Sequence, residues 1–215
     1  MIKMVAWDMD STICDSMSMC VEAFRRAVEP FAGRTLSEEE IVGRFGINEI
    51  GMIKAVVEPE DYDAAITAFY HNYSELHTQC SEPFPGIRDI LNYLKTKPVK
   101  VALVTGKGAH GCEITLAKLG LDGYFDDIMP GAEDHINKAE SIPALLEKYQ
   151  ITPEEFIYIG DAVSDFEACC KSGVVCLSAA WADCVDVKML LQLNPGRVFK
   201  RVADLEAYLK GLLGD

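Results

Sequence analysis

Apolar residues concentrate in three short runs: residues 2–7 (Ile-Lys-Met-Val-Ala-Trp), 99–104 (Val-Lys-Val-Ala-Leu-Val) and 156–159 (Phe-Ile-Tyr-Ile). Each is too short for a helix and rich in branched or aromatic side chains, which predicts a buried strand. Residues 125–129, 174–178 and 197–200 are weaker strand candidates. Between the runs, apolar positions recur at helical spacing: Ile87, Ile90, Leu91, Leu94; Ala109, Cys112, Leu116, Leu119; Ile142, Leu145, Leu146, Tyr149; and Val163, Phe166, Cys169, Cys170. Strand then helix, repeated, predicts an α/β fold with a doubly wound, mostly parallel, Rossmann-like sheet.

From about Ser16 to Ser81 the alternation stops and helix follows helix. Met17, Cys20, Val21 and Phe24 share one face, and Tyr62, Ala65, Ile66, Phe69, Tyr73 and Leu76 share another. This predicts a small all-helical insertion at 15–81 within an α/β core made of 1–14 and 82–215. Pro83, Pro85 and Gly86 mark the return to the core, where prolines disfavour helix and a glycine frees the turn. A chain of 215 residues that is 49% hydrophobic can bury an α/β core and carry a second, smaller module.

Charge and cysteine content narrow the function classes. A formal charge of −14 disfavours nucleic acid as a non-specific partner, although a local positive pocket can still take a small phosphate. The eight cysteines form no C-x-x-C pair and several sit in apolar runs, which favours free thiols in a reducing cytoplasm over a disulfide framework or a zinc site. The N-terminus reaches Asp8 too early for a signal peptide, and no later apolar run approaches the roughly 18 residues of a membrane span. The expected protein is cytoplasmic, with no membrane partner and an undetermined oligomeric state.

Four polar segments follow these elements. The first strand ends in Asp8-Met9-Asp10-Ser11-Thr12, and the two-residue repeat of an extended chain sends Asp8 and Asp10 to the same side. Carboxylates that close need a cation or a shared proton, unless they merely close a turn on their own backbone. Thr105-Gly106-Lys107 ends the strand 99–104; a hydroxyl, a close glycine amide and a helix N-terminus suit phosphate oxygens, the alternative being a helix cap by Thr105. Lys138 precedes an amphipathic helix and, taken singly, is a solvated lysine. Gly160-Asp161-Ala162-Val163-Ser164-Asp165 follows the strand 156–159, so Asp161 can join Asp8 in an oxygen cage for Mg²⁺, or Asp161 can simply cap a helix beside a solvated Asp165. An open parallel sheet gathers its ligand site at the carboxyl ends of its strands, where these segments lie.

In order and spacing the four segments resemble the phosphatase branch of the haloacid-dehalogenase superfamily, with its helical cap inserted after the first motif. The likeness spans nearly the whole chain and includes Pro83-Phe84-Pro85-Gly86, Leu119-Gly120-Leu121 and Tyr124-Phe125-Asp126. It implies a Mg²⁺-dependent hydrolase of a small phosphorylated metabolite. Asp8 would be the nucleophile that forms an aspartyl-phosphate and Asp10 the acid/base. Lys138 would balance charge, and Ser11, Thr105 and Gly106 would hold phosphate. Asp8, Asp10 through its main-chain carbonyl, Asp161 and Asp165 would form the metal site. Ser11 stands where Gly is common, Gly106 where Asn is, and Ala139 where Pro is. In the cap, Gly43-Arg44-Phe45-Gly46 is similar to a substrate loop of related proteins, which makes Arg44 a candidate substrate contact; a plain interhelical turn is the alternative.

Related sugar phosphomutases usually carry a His in the first cap helix, where this chain offers Met17, Met19 and Cys20, so a mutase ranks second. A non-catalytic phosphate-binding or signalling domain is the alternative from another class. Phosphoglycolate, a sugar phosphate, a nucleotide and pyrophosphate remain open as substrates.

Overall fold

The computed structural model describes residues 1–214. Six strands form one sheet: β1 (Met4–Trp7), β2 (Lys100–Val104), β3 (Asp127–Met129), β4 (Phe156–Gly160), β5 (Val175–Ala179) and β6 (Val198–Phe199). Their order is β3-β2-β1-β4-β5-β6, and every neighbouring pair is parallel. The three strong apolar runs are the three central strands, because a parallel strand covered on both faces has no polar side to show. The weaker runs form the outer strands.

Four helices follow β1 before the chain returns to the sheet layer: α1 (Met17–Ala32), α2 (Glu38–Val42), α3 (Glu49–Lys54) and α4 (Tyr62–Leu76). They form the helical cap. The remaining helices are α5 (Ile87–Lys95), α6 (Ala109–Lys118), α7 (Lys138–Tyr149), α8 (Val163–Ser172), α9 (Val187–Leu193) and α10 (Val202–Leu213). Neither α9 nor α10 was among the predicted helices.

The pleat sends Val5 and Trp7 into one core and Met4 and Ala6 into the other. The first core is closed by Ile87 and Leu91 of α5, Cys112 and Leu116 of α6, Leu205 and Leu209 of α10, and the cap itself. The second is closed by Ile142 and Leu145 of α7 and Ala168 and Cys169 of α8. Helices therefore cover both faces, as the doubly wound reading requires. The two chain segments joining core and cap run together: the Phe84 N–H donates to the Ile13 carbonyl at 2.8 Å. Gly86 then turns the chain into α5 at φ +92°, a conformation that a side chain would strain.

Candidate active site

Trp7, the last residue of β1, pairs with Leu103 and Ile159, and the Asp8 N–H donates to the Ile159 carbonyl at 2.8 Å. Asp8, Thr105 and Asp161 thus emerge at one end of three adjacent strands. The chain runs outward from β1 to β2 and β3, then returns to place β4 on the other side of β1. A crevice at such a reversal is where open α/β sheets bind ligands. The cleft found there is lined by Asp8, Asp10, Thr105, Gly106, Lys138 and Asp161 from the core, and by Met17, Cys20, Phe24, Phe45, Glu49 and Phe69 from the cap.

On its floor, Lys138 Nζ lies 3.1 Å from Asp8 Oδ2 and 2.6 Å from Asp165 Oδ1. This lysine is buried, contrary to what its sequence context alone indicates. Asp165 is wholly buried rather than solvated. Its Oδ2 accepts from the Ala162 N–H at 3.0 Å, which caps α8, and the Tyr158 hydroxyl sits 3.2 Å from its Oδ1. Gly160 leaves space for that carboxylate; a Cβ there would collide with Asp165 and with the Tyr158 ring. Asp161 Oδ1 accepts from the Thr12 hydroxyl at 2.8 Å.

Asp8, Asp161 and Asp165 each place a carboxylate oxygen within 4.8 Å of the others, against one lysine. Burial pushes the Asp8 carboxyl up to about 6; Lys138 opposes the rise, and Asp165 and Asp10 add to it. Asp161 is pushed well above the usual carboxylate range by desolvation, then by Asp8 and Asp165. Burial works against the Lys138 charge, but Asp165 and Asp8 outweigh it and hold the ammonium well above an ordinary lysine. Asp8 Oδ1 is buried without a hydrogen-bond partner. An all-oxygen donor set carrying excess negative charge, with one orphaned oxygen, fits a hard divalent cation such as Mg²⁺. Both Asp165 oxygens already have protein partners, so Asp8 and Asp161 are the donors left open.

Asp10 faces the cap side of the cleft. Its Oδ1 accepts from the Ser16 hydroxyl, and its Oδ2 lies 3.2 Å from Lys107 Nζ. Lys107 is buried and stands over the Tyr73 ring at 4.6 Å. Thr105 is not the cap of α6, which begins after Gly108; its hydroxyl instead accepts from the Lys107 N–H at 3.2 Å.

Two predicted site residues stand elsewhere. Ser11 is fully buried and does not line the cleft; its N–H donates to the Cys14 carbonyl at 2.9 Å and its hydroxyl is hydrogen-bonded to Cys184 Sγ at 3.1 Å. Its φ of +60° explains why glycine is common at this position of the motif. Arg44 does not line the cleft either, whereas Phe45, Gly46 and Ile47 do. Arg44 sits in the turn that closes α2, with its N–H on the Ile41 carbonyl at 3.0 Å.

The cap rests on the floor through α3. Glu49 is buried; its Oε2 accepts from the Gly108 N–H at 2.8 Å and its Oε1 from the Tyr70 hydroxyl at 3.0 Å. The Asn48 N–H donates to the Ala132 carbonyl at 2.8 Å, and its Nδ2 to the Gly131 carbonyl at 3.0 Å. Gly51 packs directly on the Glu133 main chain, and Lys54 pairs with Glu133. Lys107, Glu49, Ser16 and Tyr158 escaped the sequence reading. Only Lys107 carried a signal: a lysine before a helix N-terminus is electrostatically misplaced unless an anion holds it.

The family model for haloacid dehalogenase-like hydrolases matches residues 5–179. The chain is 29% identical to a phosphoglycolate phosphatase of Nitrosococcus oceani, over 86% of this chain and 88% of that one. It is 25% identical to a phosphorylated carbohydrates phosphatase of Thermotoga maritima, over 89% and 91%. The crystal structure of a hydrolase from Pseudomonas syringae superposes with a TM-score of 0.79 over the full length of both chains at 21% identity, a likeness of fold. The chain belongs to the haloacid dehalogenase-like hydrolases, in their phosphatase branch. No helix among the described residues is long and apolar enough to cross a membrane.

Proposed function

We propose that the chain is a Mg²⁺-dependent phosphatase that hydrolyses a small phosphorylated metabolite in the cytoplasm through an aspartyl-phosphate on Asp8. The observation that carries this reading is the state of Asp8: one oxygen is held by Lys138 and the other is buried with no partner at the floor of the cleft. A carboxylate oxygen so placed is available to attack phosphorus. As the bond from Asp8 to phosphorus forms, the bond to the leaving oxygen breaks and Asp10 gives that oxygen its proton. Water then attacks the acyl phosphate, Asp10 takes the proton back, and inorganic phosphate leaves with Asp8 restored.

The Thr105 hydroxyl and the Gly106 N–H hold the non-bridging oxygens, and Lys138 balances their charge while Asp165 fixes its position. Asp8, Asp161 and the Asp10 main-chain carbonyl would hold Mg²⁺, which supplies Lewis-acid neutralisation of the repulsion between Asp8 and the phosphate. Residues 15–81 would move as the cap and shut water out. Their apolar lining offers a leaving group few polar partners, and both Glu49 oxygens are taken. Lys107 is the buried cation on that side, so a second anionic group near the ester oxygen is favoured, in keeping with the phosphoglycolate phosphatase relative.

Hydrolysis of a chromogenic phosphate ester with and without Mg²⁺ tests the reaction. Equal rates from wild type and Asp8→Asn would overturn it. Comparing kcat/KM for phosphoglycolate and for an uncharged alkyl phosphate tests the substrate class: the preference should collapse in Lys107→Met.

A further inference from the structure

The first turn of α6 is shaped around a residue of the cap. Its N-cap position is Gly108, which has no side chain to close the helix, and the Glu49 carboxylate arrives from α3 to accept the Gly108 N–H at 2.8 Å. Gly108 and Gly111 both leave room for it: a Cβ on Gly108 would stand 2.8 Å from Glu49 Oε1, and one on Gly111 2.7 Å from the same atom. Glycine weakens a helix relative to alanine, so Gly111 answers the approach of the carboxylate rather than the needs of α6. The Tyr70 hydroxyl donates to Oε1 at 3.0 Å, and the Tyr70 ring meets His110 edge-on, 4.5 Å between centroids. A negative charge is favourable at a helix N-terminus, and a buried carboxylate needs such partners.

The same seat houses Lys107. Its Cγ would lie 2.8 Å from a Cβ on Gly111, so the lysine stem and Glu49 press on one face of α6. Beyond the stem, Nζ reaches Asp10 Oδ2 at 3.2 Å, Cys20 Sγ at 3.7 Å and the Tyr73 ring at 4.6 Å. Cys20 and Tyr73 belong to α1 and α4, so Lys107 springs from the core but is enclosed by the cap. Its main-chain N–H is held by the Thr105 hydroxyl at 3.2 Å, in the turn assigned above to phosphate.

We propose that Glu49 is a positioning residue. By capping α6 when the cap seats, it sets the turn 105–108 and brings the Lys107 ammonium against Asp10, so that the phosphate-holding turn is complete only in the closed form. Its kinetic consequence rests on the phosphatase reading; its effect on the turn does not. Glu49 itself meets no reacting atom, since both its oxygens are engaged by Gly108 and Tyr70.

The test compares wild type, Glu49→Ala, Glu49→Gln and Gly111→Ala by turnover of a chromogenic phosphate ester, by melting temperature and by amide exchange followed by NMR. Glu49→Ala should lower kcat/KM about ten- to a hundredfold through misplacement of the turn. Exchange of the Gly108 amide should quicken about tenfold or more, while amides of the central strands keep their rates. Glu49→Gln should stay within about threefold of wild type, because its carbonyl still accepts from Gly108 and its amide can donate to the Tyr70 oxygen. Gly111→Ala separates positioning from stability. It should hold or raise the melting temperature, since alanine favours the helix, yet lower kcat/KM, and it should cost little further activity in a Glu49→Ala background. A wild type without turnover would sink the phosphatase reading and leave the exchange rates to decide the role of Glu49. Wild-type exchange at Gly108 in Glu49→Ala, turnover and melting temperature falling together in both alanine variants, or additive losses in the double variant would overturn the proposal.

Discussion

Asp8 is a carboxylate held where charge is costly. Its pKa rises from the ordinary 3.8 to about 6 chiefly because burial disfavours the ionised form. A carboxyl raised in the folded state binds its proton more tightly there than in the unfolded chain. Its contribution to stability is therefore fully present below about pH 4 and is lost as pH rises through 6. Above that, the penalty is about 3 kcal/mol for a gap of about two pH units. Metal-free Asp8→Asn should accordingly melt above wild type at pH 8, with the advantage shrinking to nothing near pH 4, while turnover is lost. A wild type that melts higher at pH 8 would show that pairing with Lys138 outweighs burial. Lys138→Met has the opposite sign: it leaves Asp8 and Asp165 buried without their cation, and should cost about 3–5 kcal/mol in chemical denaturation.

At the scale of elements, the contact between α3 and the core decides whether the cap can seat. Gly51 has no room for a Cβ because the Glu133 main chain occupies that space. Backbone cannot yield as a side-chain tip can, so Gly51→Ala should hold the cap off the floor. The expected result is a loss of about ten- to a hundredfold in kcat/KM, since a catalytic group displaced by about 1 Å costs that much. Thermal stability should fall less than activity, because the added methyl meets the Glu133 main chain rather than the side chains of either core. Equal losses of stability and activity would instead mean that α3 itself had come apart.

The same contact shows where sequence runs out. Asp8 and Asp161 were legible because each follows an apolar run whose only physical use is a central strand, and the end of such a strand has a known address. Thr105 was legible for that reason. Glu49 was not: its function is to accept from Gly108, and nothing within the segment around residue 49 indicates that meeting. Ser11 suits phosphate by residue type, but at a φ of +60° its hydroxyl is bonded to Cys184 Sγ, a partner distant in sequence that no local pattern indicates. The spacing of Val202, Leu205 and Leu209 encodes α10, though no helix was predicted there, whereas β6, only two residues long, falls inside the weak candidate run 197–200 and is fixed by pairing with β5.

For the whole molecule, the excess of acid that argues against nucleic acid also defines how the fold should answer a cation. Much of the surface charge is dispersed and screened, but Asp8, Asp161 and Asp165 are fixed within 4.8 Å beneath the cap. A divalent ion bound there stabilises the native state by mass action, about 2.7 kcal/mol at a hundred times its Kd. Wild type should therefore melt several degrees higher with Mg²⁺ than with a chelator. The gain should grow between about pH 5 and 7, because the raised carboxyls must lose protons before they can ligate. Asp161→Asn should abolish the gain while its metal-free melting point equals or exceeds that of wild type, since a strained negative charge has been removed. A Mg²⁺ shift that survives in Asp161→Asn would place the ion on other carboxylates of the acidic surface, and the cluster at the strand ends would then need a proton rather than a metal to hold it together.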